Sequence, residues 1–205
     1  MADQERNRLN YLAHLYLADQ TDDSLIGNLL GDFVKGRPGE RYSDEIVAGI
    51  LFHRKIDAFA DAHPIMRTSR GRIGPQMSRF SGIIIDVCYD HFLARHWSRY
   101  SNQNLTVFVQ HAYDVLQKNR PILPERLQRI LPYMISEDWL GRYIEIKSVG
   151  VTLDRIARRL TRGEQFKGAI VEVEKNYADL ESDFLNFFPD LMDYACRTKL
   201  ELNQN

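Results

Sequence analysis

The sequence predicts an all-α protein, a single-domain helical bundle of about nine helices. Apolar residues recur at the three- and four-residue spacing of amphipathic helices, and no segment shows the alternation of a half-buried strand. The 205 residues, 44% of them hydrophobic, suffice for one core. Because the chain has no internal repeat and no low-complexity linker, we expect one domain over 9–200, with polar, flexible ends at 1–8 and 201–205.

Capping residues and helix breakers set the first boundaries. Ser24 and Ser43 are typical N-caps, and Gly36 is a typical helix stop. Gly27 and Gly31 lie one turn apart and allow another helix to approach closely. The first three helices are therefore expected over 9–18, 24–35 and 43–62.

Glycines and prolines also divide the rest of the chain. Gly71, Gly74 and Pro75 predict a broken helix or a loop over 65–80. Ser136 is the expected cap of a later helix. The remaining helices are predicted over 82–100, 105–118, 136–143, 152–160, 165–187 and 190–200.

Charge and cysteine content argue against several classes of protein. The formal net charge is −1, whereas a nucleic-acid-binding domain is usually basic. Cys88 and Cys196 form neither a disulfide framework nor a CxxC motif. The first ten residues lack an apolar signal-peptide core, and no apolar run approaches the ~18 residues of a membrane span. We therefore expect a cytoplasmic protein with no nucleic-acid or membrane partner.

The third predicted helix carries polar residues within its apolar stripe. Ile46, Ile50, His53, Asp57 and Ala60 follow one another at steps of four and three residues, which places them on one helix face. His53 and Asp57 therefore stand where the pattern expects aliphatic residues. Their spacing brings the two side chains ~5–6 Å apart at Cβ, close enough to share a metal ion.

Three other segments repeat this feature. The polar residues on their apolar faces are His14, Asn28, Asp32, Asp86, Asp90 and His91. Buried carboxylates repel one another unless a cation or a proton pairs them. The set therefore indicates either a buried divalent-metal site or a salt-bridge network, with Arg54, Lys55 and Arg95 as its cations. Oxygen and imidazole ligands suit Mn²⁺ or Mg²⁺, with Fe²⁺ or Zn²⁺ as alternatives.

Four stretches resemble the acyl carrier protein phosphodiesterase family, whose members are described as divergent relatives of HD-domain metal phosphohydrolases. They are NYLAHLYLA, SLIGNLLGDFVKG, VAGILFHRKIDAFAD and DVCYDHFLARHWS. The resemblance continues through SEDWLGRY to LESDFLNFFPDLM. It implies an HD-domain-like fold and a Mn²⁺-dependent enzyme of lipid metabolism. Such an enzyme removes 4′-phosphopantetheine from the serine of holo acyl carrier protein and leaves the apo protein.

The resemblance also implies roles for individual residues. The family pattern points to a metal site built from Asp32, His53, Asp57, Asp86 and Asp90. His14 and Asn28 are secondary candidates. As a hypothesis for the mechanism, Asp32 takes part in catalysis, and Arg54 or Arg95 offsets charge on the phosphoryl oxygens. His91, or alternatively His14, protonates the departing serine oxygen or orients the water.

Carrier proteins of this kind are small and acidic, so basic stretches are expected docking surfaces. The first contains Arg67, Arg70, Arg72 and Arg79, and a second runs over 155–167. Two rival functions remain open. One is a nucleotide phosphohydrolase of the HD type, and the other is a non-catalytic helical binding module.

Overall fold

The computed structural model describes residues 10–158, 166 and 168–202. Within these residues the chain forms eleven α-helices and three short 3₁₀ turns, with no strand. The all-α prediction is therefore confirmed, with more helices than the nine expected. The helices are α1 Tyr11–Leu17, α2 Asp22–Leu30, α3 Asp44–Ala62, α4 Pro64–Arg72, α5 Ser81–Arg95, α6 Trp97–Tyr100, α7 Leu105–Lys118, α8 Glu125–Ser136, α9 Ile146–Ala157, α10 Ala169–Lys175 and α11 Tyr177–Leu202.

The second helix begins and ends earlier than predicted. Thr21 is its N-cap and accepts a hydrogen bond from the Ser24 backbone N–H, while the Ser24 hydroxyl accepts one from Asp19. The helix ends at Leu30, whose carbonyl oxygen accepts the N–H groups of the turn that follows. Asp32 consequently lies in this turn and not inside the helix.

The middle of the chain is more helical than its glycines suggest. Residues 65–80, predicted as a broken helix or loop, contain most of α4 and a 3₁₀ turn at Pro75–Phe80. Pro64 begins α4, where its missing N–H costs nothing. The helix predicted over 82–100 is divided at His96 into α5 and α6.

Two prolines lie inside helices where the sequence predicted boundaries. Pro132 lies within α8, so Ser136 ends that helix and does not cap a new one. Pro189 lies within α11, which is continuous where two helices were expected. Each proline removes one helical hydrogen bond. Burial of neighbouring residues, among them Leu131 and Phe188, offsets that loss.

Helix α5 forms the centre of the molecule. Its residues from Ile83 to Ala94 are all buried, and α1, α4, α9, α10 and α11 pack against it. The first three helices form a second contact region, in which α2 crosses α3 at Gly27 and Gly49. A Cβ at Gly27 would lie 2.4 Å from the Ile46 carbonyl oxygen, so glycine is needed for this approach.

The predicted flexible ends fall mostly outside the described residues. Residues 1–8 and 203–205 lie outside them, whereas Glu201 and Leu202 belong to α11. None of the described helices combines the length and the apolar character needed to span a bilayer.

Candidate metal centre

His14, His53 and Asp57 meet between α1 and α3. Each offers a ligand atom, and these three atoms lie within 4.8 Å of one another. The Asp57 carboxylate spans the two rings, with Oδ1 at 3.2 Å from His14 Nε2 and Oδ2 at 3.5 Å from His53 Nε2. The two imidazoles stack with their centroids 3.7 Å apart. Three potential metal ligands therefore converge on one point.

Asp32 extends this group from a third chain segment. Its Oδ1 lies 3.7 Å from His53 Nε2, and the residue is almost fully buried in the turn after α2. We call His14, Asp32, His53 and Asp57 the histidine–aspartate group. Its members come from α1, the turn after α2, and α3.

Helix α2 fixes the orientation of His53. The Asn28 carbonyl oxygen lies 2.7 Å from His53 Nδ1. Because a carbonyl oxygen only accepts, this contact assigns the proton to Nδ1 and directs Nε2 toward Asp32 and Asp57. Gly31 leaves the space for the ring, since a Cβ there would lie 2.1 Å from His53 Cγ.

The pKa shifts of His53 and Asp57 show that each stabilises the charged form of the other. Burial opposes the charged form of His53, but contacts with Asp57 and Asp32 outweigh it, and the pKa of the imidazole is raised. Burial likewise opposes the charged form of Asp57, but the two histidines hold the pKa of its carboxyl well below the usual range. The Asp57 carboxylate is therefore ionised and faces two imidazole nitrogens.

These donor types fit a divalent cation. Nε2 of a neutral imidazole and a carboxylate oxygen are both acceptors, so they cannot hydrogen-bond to each other without a proton or a cation between them. Two imidazoles with two carboxylates are a ligand set typical of Mn²⁺, Fe²⁺ or Zn²⁺. The arrangement thus contains the residue types that a metal site requires.

The histidine–aspartate group lies at an open cleft of about 350 Å³. Asp57 is 22% exposed, whereas His14 is only 1% exposed and lies beneath it. Lys35 and Arg54 line the same cleft, and Arg54 Nη2 donates to the Val34 carbonyl oxygen at 2.8 Å. A negatively charged ligand in the cleft would therefore meet two cationic side chains beside the group.

The structure gives Asp90 contacts with the backbone of α1. Its two carboxylate oxygens each accept a hydrogen bond of 2.9 Å, from the N–H groups of Leu12 and Ala13. Burial raises the pKa of Asp90 well above its usual value, and the charges of Asp86 and Asp32 add to this against the two N–H donors. Asp86 is buried one turn away. Asp90 is thus directed at the start of α1.

His91 and Arg95 are engaged elsewhere. His91 Nδ1 donates to the Tyr143 carbonyl oxygen at 2.6 Å, and Nε2 lies 2.8 Å from the Tyr177 hydroxyl. Arg95 is 54% exposed, and its Nε lies 3.4 Å from Glu181. Arg95 lines a separate, larger cavity of about 650 Å³ that shares no lining residue with the cleft. The structure does not bring these two predicted residues to the group.

The four arginines predicted for docking differ in their surroundings. Arg70 Nη2 pairs with Asp61 at 2.6 Å, and Arg72 joins α4 to α11 through bonds to Asp179 and Asp183. Arg67 and Arg79 are exposed. In the second predicted stretch, Arg155 pairs with Glu137 at 2.5 Å, and residues 159–165 and 167 lie outside the described residues.

Comparison with known proteins identifies relatives over nearly the whole chain. The family model described as acyl carrier protein phosphodiesterase matches residues 9–191. The chain belongs to this family. Proteins named acyl carrier protein phosphodiesterase from Serratia proteamaculans and Yersinia pestis are 40% and 41% identical over 91% of this chain and 97% of theirs. One from Escherichia coli O157:H7 is 38% identical over 94% of this chain and its own full length.

No solved structure matches the chain. The family assignment therefore rests on sequence, and the likeness to HD-domain proteins stays a prediction.

The sequence pattern gives little or no weight to two residues, His14 beneath the cleft and Lys35 at its lining. His14 was only a secondary candidate, since a single histidine on an apolar face is usually a core residue. Its pairing with Asp57 joins residues 43 positions apart in the chain. Lys35 was not predicted, although its place three residues after Asp32 in GDFVKG was the available signal.

Proposed function

We propose that this chain is a metal-dependent phosphodiesterase that releases 4′-phosphopantetheine from the serine of holo acyl carrier protein. The single observation that carries the proposal is the histidine–aspartate group at a cleft that Lys35 and Arg54 also line. The names of the relatives supply the substrate class.

His14, His53 and Asp57 would hold the metal ion, with Asp32 as a fourth ligand or as its neighbour. Such a cation, when bound, lowers the pKa of water and offsets phosphoryl charge. Mn²⁺ is the proposed ion because the set mixes imidazole with carboxylate, and Fe²⁺ is the alternative. Mg²⁺ is less suited, since it prefers a shell of oxygen atoms.

The chain's own residues divide the remaining tasks. Arg54 and Lys35 face the cleft, where they would bind the nonbridging oxygens of the phosphodiester and stabilise the charge that develops there. Asp32 borders both the cleft and the ligand set, so it is the candidate to orient the attacking water or accept its proton. His91 and Arg95 have no part in this proposal, because their contacts lie outside the group.

We also propose a cytoplasmic location. Both cysteines are free, Cys88 in the core and Cys196 at the surface, as is usual in a reducing compartment.

The direct test is arm release measured by intact-protein mass spectrometry. Metal-stripped protein is incubated with holo acyl carrier protein and with Mn²⁺, Fe²⁺, Mg²⁺ or no metal. We expect the carrier to lose the mass of its arm with Mn²⁺, and His53→Ala to abolish the loss. His111→Ala, on α7 and outside the cleft, is the matched control and should retain activity.

Two outcomes would contradict the proposal. One is a carrier mass that stays unchanged with every metal. If the same preparation hydrolyses deoxynucleoside monophosphates, the rival nucleotide phosphohydrolase is favoured instead. The other is full activity in His53→Ala, which would place the reaction outside the histidine–aspartate group.

A further inference from the structure

The loop that connects α2 to α3 is positively charged and lies next to the cleft. We call residues 33–42 the rim loop. It carries Lys35, Arg37 and Arg41 against a single acid, Glu40, and all four side chains are exposed. Lys35 also lines the cleft itself, which connects this surface directly with the histidine–aspartate group.

Side chains from two other helices contact the rim loop and hold it in position. Arg54 of α3 donates to the Val34 carbonyl oxygen at 2.8 Å, and the Arg126 guanidinium of α8 lies over the Phe33 ring at 5.6 Å. Arg41 lies over the ring of Tyr42 at 4.6 Å. Arg54 and Arg126 therefore lie beside the loop, and their positive charges add to those of Lys35, Arg37 and Arg41.

A third acid that lines the cleft, besides Asp32 and Asp57, is already paired. Asp61 lines the cleft, but Arg70 binds its Oδ1 at 2.6 Å. Arg70 and Arg72 of α4 are therefore less available to a partner than the sequence predicts. Arg70 offsets Asp61, and Arg72 is committed to two carboxylates of α11. The unbalanced cations next to the cleft are those of the rim loop.

We infer that the rim loop is the docking surface for an acidic face of the carrier protein. The inference rests on the proposed function, which requires a phosphodiester attached to a folded protein to enter the cleft. That protein must lie against the cleft mouth, and the mouth is positive on the rim-loop side. Charge complementarity of this kind raises the association rate and orients the partner, and salt weakens it.

The test measures binding without catalysis. Fluorescently labelled carrier protein that lacks the arm is titrated with the wild-type chain and with the double variant Lys35→Glu/Arg37→Glu. Reversal of two exposed charges should raise Kd about tenfold at low salt and flatten its salt dependence. The charge-matched control is Lys147→Glu/Lys175→Glu, on α9 and α10, which pack against each other and against α5. The control should keep the wild-type Kd.

The inference is overturned if the rim-loop variant binds as the wild type does, or if the wild-type chain does not bind the carrier. It is also overturned if Arg67→Glu/Arg79→Glu, on the α4 side, weakens binding while the rim-loop variant does not. Arm release by the wild-type chain is scored separately. If it occurs while the rim-loop variant keeps the wild-type Kd, only the docking inference fails, whereas its absence overturns the proposed function itself.

Discussion

His53 is held by contacts on several sides of its ring. Asn28 fixes Nδ1, the His14 ring stacks on one face, and Gly31 leaves the space next to Cγ. The position of Nε2 relative to Asp57 therefore depends on residues that do not themselves offer a ligand. The helix-face pattern of α3 could predict that His53 and Asp57 lie together, but it contains no information about these neighbours.

Substitution of Gly31 tests this dependence. In Gly31→Ala the new Cβ would collide with His53 Cγ at 2.1 Å, so we expect the ring to move and Mn²⁺ affinity to fall at least tenfold. Isothermal titration with Mn²⁺ measures the change. Gly39→Ala is the matched control, because no atom lies within 4 Å of its new Cβ, and it should bind as the wild type. Unchanged affinity in Gly31→Ala would show that Mn²⁺ binding does not depend on the position of the His53 ring.

Helix α1 illustrates how an element depends on its partners. It has only seven residues, and its own N-cap, Asn10, makes no side-chain capping bond. Helices this short are unstable in isolation. Asp90 of α5 supplies the missing cap by binding the N–H groups of Leu12 and Ala13. Since His14 lies on α1, this bond also helps to fix one member of the histidine–aspartate group.

We propose that Asp90 acts through α1 and is not itself a ligand. Asp90→Asn replaces one acceptor oxygen with an NH₂ group that faces an N–H, so we expect the metal-free protein to lose ~1–3 kcal/mol of stability. Urea unfolding measures this loss. Asp193→Asn, an exposed change on α11, should stay within ~0.5 kcal/mol of wild type.

The rival role of Asp90 gives a different result. If its carboxylate were itself a metal ligand, Asp90→Asn would lower Mn²⁺ affinity as much as His53→Ala does, whereas loss of the α1 contacts alone lowers it less.

At the scale of the whole molecule, the local pattern predicts the fold class and several helices closely. The observed α3 and α7 begin and end within one residue of the predictions, and their starts are fixed by side-chain capping bonds from Ser43 and Asn104. Local signals fail where packing overrides them. Pro132 and Pro189 are ordinary helix breakers, but tertiary burial of the surrounding residues keeps α8 and α11 intact.

The residues of the candidate site also fall into those that local sequence could predict and those that it could not. Asp32, His53, Asp57 and Arg54 could be predicted because their own segments place them beside apolar stripes. The importance of His14 and the separation of His91 from the group could not. Both depend on how α1, α5 and α11 pack together, which spacing along the chain does not encode.

The central claim is that His14, His53 and Asp57 bind one divalent cation. Calorimetric titration of the metal-free chain with Mn²⁺ tests it most directly, with His14→Ala and His53→Ala beside the His111→Ala control. We predict one saturable site in the wild type and the control, weakened more than ~100-fold in the other two variants. Absence of saturable binding in the wild type, or equal affinity in all four proteins, would contradict the account.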